Sequence, residues 1–138
     1  MTDIAPLMPH AGAMVLLDQL ERWDAASIVC TTHTHLDLAN PLRRDGRLAS
    51  ACGIEYGLQA AALHGALLAD GVRPRPGYLA SLRAVRFAID RLDDPAIDPL
   101  LVEARLHAQE PLGMLYGLEL RSGGTFLLAA RAMIALPP

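Results

Sequence analysis

The sequence predicts an α+β fold in which an antiparallel β-sheet wraps around one long central helix. The stretch from Ala51 to Ala69 is apolar on all sides, as in a helix buried along its whole length. The segments around it read as strands, and Ser27 to Leu36 alternates with the period of two expected of a half-buried one. The later ones are separated by short turn signals that suit hairpins.

In order, Met14-Val15-Leu16-Leu17 opens a strand segment that ends near Trp23, and Ser27 to Leu36 alternates as a second strand. Asp37 to Arg47 contains Asn40-Pro41 and Asp45-Gly46 and reads as a loop. Ser50 is placed to cap a helix over Ala51–Ala69, with Asp70-Gly71 as its stop. Strands follow over Tyr78–Ile89, Leu100–Gln109, Met114–Arg121 and Thr125–Leu136, broken by Asp-Pro, Pro-Leu-Gly and Ser-Gly-Gly. The order β-β-α-β-β-β-β, with no repeat or linker, predicts a single domain over residues 1–138.

Composition narrows the function. Hydrophobic residues make up 52% of the chain and charged residues 20%, enough apolar side chains to build a core. The 12 basic residues, all Arg, against 15 acidic ones give a net charge of -3, which lacks the positive field that nucleic-acid binding needs. Cys30 and Cys52 make neither a disulfide framework nor a CxxC motif and are expected as free thiols. The start MTDIAPLMPH lacks a basic region before an apolar one, and the apolar run Leu58–Ala69 is too short to span a bilayer. A cytoplasmic protein with no membrane partner is expected.

Within the helix, Gly53, Gly57 and Ala61 recur every four residues and predict close approach to a sheet or to a partner chain. Glu55 and Gln59 share a helix face. A carboxylate buried in such a helix has two explanations. It stabilises the positive helix N-terminus or pairs with an Arg, or it is a general acid whose pKa desolvation raises. The second is favoured.

Gly53-Ile54-Glu55-Tyr56-Gly57-Leu58-Gln59-Ala60-Ala61 resembles the E-x-x-x-Q-A helix signature of hotdog-fold 3-hydroxyacyl-[acyl-carrier-protein] dehydratases. Upstream, Leu7-Met8-Pro9-His10-Ala11-Gly12-Ala13-Met14-Val15-Leu16-Leu17-Asp18 is similar to their L-P-H-x-x-P-F-L-L-V-D segment. The subgroup resembled is that of the predicted dehydratases associated with aryl-polyene-type fatty-acid clusters, from Leu7 to about Ala132. The resemblance implies dehydration of a 3-hydroxyacyl thioester to the trans-2-enoyl thioester and a substrate carried on the phosphopantetheine of acyl carrier protein. It also implies no metal or redox cofactor, and pairing through edge strands into a homodimer or larger assembly. The G-H-F-P motif that holds the catalytic His of the major bacterial enzymes is replaced here by Leu38-Ala39-Asn40-Pro41-Leu42-Arg43.

The expected catalytic pair is therefore Glu55 with His10, because imidazole titrates near neutral pH. A purely structural His10, bonded to backbone near a dimer interface, is the alternative. Asn40, Gly53 and Gln59 are expected to bind substrate, with a backbone N–H near Cys52-Gly53 polarising the thioester carbonyl. Arg43, Arg44 and Arg47 are expected to dock the acidic carrier protein, with further arginines at Arg73, Arg75, Arg83 and Arg86. His33 and His35 share a strand face without a third metal ligand, His64 reads as a core or interface residue, and His107 stands alone. Two other functions fit the same pattern. One is a thioesterase using the helix carboxylate, and the other a non-catalytic subunit that binds acyl carrier protein.

Overall fold

The structure, a computed structural model, describes residues 4–7, 12–69 and 77–137. Six strands form one sheet: β1 (Gln19–Trp23), β2 (Ser27–Thr32), β3 (Tyr78–Phe87), β4 (Leu100–Glu110), β5 (Gly113–Ser122) and β6 (Thr125–Ala135). Their spatial order is β1-β2-β4-β5-β6-β3, and each pair is antiparallel. The helix α1 (Gly53–Leu68) lies between β2 and β3 in sequence and packs on one face of the sheet.

Alternation decides which face that is. Val102 and Ala104, then Tyr116, Leu118 and Leu120, then Leu128, Ala130 and Ala132 point inward and are fully or nearly fully buried. The glycines let α1 settle onto them. A Cβ on Gly53 would come within 2.5 Å of Leu128 Cδ2, and one on Gly57 within 3.0 Å of Leu118. The close approach expected of these residues is thus to the sheet. Gly123 and Gly124 take φ values of 56° and 83° in the tight β5–β6 turn that such values require.

Three elements depart from expectation, each because side chains capture backbone groups. Val15–Asp18 is not laddered into a strand: the Leu16 N–H donates to Gln59 Oε1, and its carbonyl accepts from the hydroxyls of Thr32 and Thr34. β2 ends at Thr32 and is followed by a 3-10 turn over Thr34–Leu36, because Thr32 Oγ1 accepts the Thr34 N–H and Asp18 accepts that of His33. Consequently His33 and His35 do not share a strand face. His33 pairs with Asp98, while buried His35 bonds to the Ile97 carbonyl. Lastly, Ser50 does not cap α1. It opens a 3-10 turn, Ser50–Cys52, and its N–H donates to Asp90 O.

His64 is a core residue: its Nε2–H donates to the Asp24 carbonyl at 2.8 Å and Nδ1 accepts the Tyr116 hydroxyl at 2.7 Å. Cys30 is buried, which pushes its thiol up to about 12, while Cys52 is half-buried; both are free. β3 has a single neighbour, and all its residues but Ser81 are exposed, among them Tyr78, Leu79, Leu82, Val85 and Phe87. No described helix is long and apolar enough to cross a membrane.

The loop before α1 is tied to the segment after β3 by Leu92 N–H to Leu48 O and by Asp93. The Asp93 carboxylate accepts from Arg91 at 2.6 Å and from Arg43 at 3.3 Å. Arg91 foremost, aided by the Leu48 N–H, holds Asp93 far below the usual carboxylate range against the opposing effect of burial. A depressed folded pKa gives stability that is present above the unfolded value near 3.9 and is lost as pH falls below it. Asp93→Asn is therefore expected to cost about 1.5–3 kcal/mol at pH 7 and much less near pH 2. Thermal melts of both proteins at the two pH values check this, and an equal gap at each would refute it.

Candidate functional site

Glu55 sits in the first turn of α1 and is half-buried rather than buried. No helix residue is fully exposed. Of the half-buried ones, Glu55, Leu58, Ala62 and Gly65 follow one side of α1 at helical spacing, with Ala66, Leu67 and Leu68 half-buried at its C-terminal end, so the carboxylate heads a partly open apolar stripe. A Cβ at Gly65 would meet nothing within 4 Å.

One turn on, Gln59 is fully buried and both ends of its amide are committed. Oε1 accepts the Leu16 N–H at 2.9 Å, and Nε2 donates to the Met14 carbonyl. Gln59 thus positions the segment that follows His10, and its fully buried amide is turned to that segment. His10 itself lies outside the described residues, as do Arg73 and Arg75.

Asn40 is bonded within the fold in the same way. Its Nδ2 donates to the Thr34 carbonyl and to Tyr56 Oη, both at 2.9 Å, and its Oδ1 accepts the Leu42 N–H. Both N–H donors and the oxygen are thus engaged by the fold. The protons can be assigned by following the chain to its end. Thr34 Oγ1 donates to the Leu16 carbonyl at 2.6 Å, so the Tyr56 hydroxyl donates to Thr34 at 2.8 Å and accepts from Asn40. Burial raises the Tyr56 pKa, keeping the phenol protonated and the chain pointing one way.

Sequence reading missed this Asn40–Tyr56–Thr34–Leu16 network. Its only signal was a Tyr beside Glu55 and a run of polar residues, Thr31-Thr32-His33-Thr34, ending a strand. Tyr56→Phe is expected to cost about 1–3 kcal/mol, because it strips one partner from each of two buried groups. Denaturant unfolding measures this, and a loss below about 0.5 kcal/mol would remove the network's structural role.

Gly53 does not serve as a free donor. Its N–H bonds back to the carbonyls of Ser50 and Ala51, and its Cα faces Leu128 and Leu120 of the sheet. Arg43 is likewise occupied: its guanidinium is nearly buried against the Asp37 and Gly46 carbonyls and Asp93. Arg44 folds onto the carbonyls of Pro41 and Arg43 but remains exposed, as does Arg47. Among the described residues no group of three or more His, Cys, Asp or Glu could hold a metal ion.

An antiparallel sheet wrapped on one helix, with a carboxylate in the first helical turn, defines a hotdog-fold protein. The chain belongs to the ApeP-like family, described as ApeP dehydratase, whose model matches residues 2–138. Among solved structures it is similar to the dehydratase heterocomplex ApeI:P from Xenorhabdus doucetiae, with 23% identity over 100% of this chain and 93% of that one and a TM-score of 0.85. It is also similar to a hypothetical thioesterase with coenzyme A from Streptococcus pneumoniae TIGR4, at 14% identity over 86% and 84% of the two chains (TM-score 0.63). A third is the PaaI protein of the phenylacetic acid degradation operon of E. coli, at 12% identity over 84% and 80% (TM-score 0.60). At these identities the structures share the fold. No curated protein matches the chain.

Proposed function

We propose that this dehydratase-family protein removes water from a 3-hydroxyacyl thioester on acyl carrier protein, giving the trans-2-enoyl thioester for a fatty-acid or polyene-type product. The observation that carries the reading is the pairing of Glu55 with the Gln59 clamp. Glu55 heads the apolar stripe Leu58–Ala62–Gly65, on which an acyl chain could lie, and Gln59 holds to the same helix the segment that His10 precedes. The reaction needs one group to take the C2 proton and another to protonate the departing hydroxyl, and a carboxylate and an imidazole meet both needs. Arg44 and Arg47 remain the candidates for carrier docking, with the phosphopantetheine arm as the only carrier of the substrate. Assembly into a dimer or larger would use β3, whose edge is unpaired and apolar.

A second reading is favoured by one observation: where the major enzymes place their loop His, this chain has Asn40, fully committed to the fold. In that reading the chain is a subunit that needs a catalytic hotdog partner, a reading supported by its similarity to a chain of a dehydratase heterocomplex, ApeI:P. The test is mass spectrometry of a 3-hydroxyacyl carrier-protein thioester incubated with the chain alone and with such a partner. Loss of water with the chain alone supports the first reading, and loss of water only in the mixture supports the second. Release of the acyl group would make the protein a thioesterase and overturn both.

A further inference from the structure

The face of the sheet turned away from α1 carries a groove of about 390 Å³ whose walls include Arg86, Arg105, His107 and Arg131 and whose floor includes Ala84, Gly117 and Ala129. The strand register explains how the arginines gather. Arg105 on β4 lies opposite Gly117 on β5, Gly117 opposite Arg131 on β6, and Arg131 opposite Arg83 on β3. Cross-strand partners share a face, so one row across four strands reads Arg–Gly–Arg–Arg. The neighbouring row reads Glu103, Glu119, Ala129, Arg86.

Like charges directly opposite each other destabilise a sheet, and this protein is acidic overall, so the row calls for a counter-charge. Two carboxylates that also line the groove, Glu103 and Glu119, supply it only for Arg105 and Arg121. Glu119 is held by Arg121 at 3.1 Å, and Glu103 lies 3.6 Å from Arg105 and 3.8 Å from Arg121. Among the described residues Arg83 and Arg131 have no ion-pair partner, and Arg86 is steadied by the Phe126 ring, 5.0 Å from its centroid.

The centre of the row has no side chain of its own and is covered by an imidazole. A Cβ at Gly117 would collide with the His107 ring, which leans over the glycine. On β3 the register breaks between Arg83 and Arg86, where Ala84 takes a φ of 52°. An L-residue in that region costs about 1–2 kcal/mol. Arg105 and Arg131 stand two strand spacings apart, about 10 Å, so both can bend toward one anion beside the His107 ring. Guanidinium forks match phosphate oxygens in pairs.

We propose that this groove binds a phosphate group, either inorganic or carried as an ester, between Arg105 and Arg131 with Arg86 at its side. The site lies across the sheet from α1 and Glu55 and does not depend on the reaction assigned above. The test is calorimetric titration of the intact protein with inorganic phosphate, pyrophosphate and 4′-phosphopantetheine in separate arms. Saturable binding weakened about tenfold by Arg131→Gln, with the equal charge change Arg22→Gln altering it less than about twofold, supports the site. The tightest arm then distinguishes a free ion from an ester. Absence of saturation below about 1 mM in all three arms would overturn the proposal. So would equal weakening by both substitutions.

Discussion

Glu55→Gln is expected to lower the rate of water loss by about 10²–10⁴-fold, the range a positioned proton-transfer group contributes. The substitution is nearly isosteric but leaves an amide that cannot exchange a proton at neutral pH. A carboxylate in the first turn also stabilises the helix, so the change should cost stability only about 0.3–1 kcal/mol. Activity and stability therefore separate. Turnover should collapse with KM little altered, because a group that acts only in proton transfer contributes little to substrate binding. The comparison should be run with the chain alone and with a catalytic hotdog partner, whichever loses water in the wild type. A variant that keeps most of its turnover in that setting would remove Glu55 from the chemistry.

Much of the fold was legible because its signals are local and strong. The four strands after the helix, set apart by Gly- or Pro-bearing turn signals, lie within about two residues of their expected bounds. The helix declared itself by an apolar surface on every side, and its glycines fit against Leu118 and Leu128. What was hidden lay before the helix. Leu16 and Thr32 have strand-like sequence contexts, yet Leu16 gives its backbone groups to side chains distant in sequence, Gln59 by 43 residues and Thr34 by 18. No local pattern reports such captures.

The same reasoning accounts for the site. Glu55 and Gln59 were found by helical spacing, which is a property of sequence. Whether a polar side chain faces a substrate or is consumed by the fold depends on three-dimensional neighbours. Asn40, Gly53 and Gln59 are all consumed: Asn40 by Tyr56 and the Thr34 and Leu42 backbone, Gly53 by its 3-10 turn, and Gln59 by Met14 and Leu16. Arg43 illustrates the charged case. A loop of three arginines reads as a docking patch until Asp93, 50 residues away, takes one of them inside.

The Gln59 clamp gives the second large effect. Gln59→Leu keeps the volume but leaves the Leu16 N–H and the Met14 carbonyl without partners. Each unsatisfied buried group costs about 1–3 kcal/mol, so the loss should reach about 2–5 kcal/mol, a fall of roughly 10–20 °C in Tm. Turnover should fall as well, since the clamped segment is the one that follows His10. Gln59→Glu distinguishes a hydrogen-bond clamp from simple packing. Ionised, it can accept from Leu16 but sets an oxygen against the Met14 carbonyl; protonated, it can restore both contacts. A buried carboxyl of this kind has a folded pKa above its unfolded value near 4.3, so its stabilisation is present below that value and is lost as pH rises through the folded one. Gln59→Glu should therefore gain stability relative to wild type on acidification. Melting curves from pH 4 to pH 8 decide it: a Gln59→Leu midpoint within about 2 °C of wild type, or a constant offset for Gln59→Glu, would mean that Gln59 only fills space.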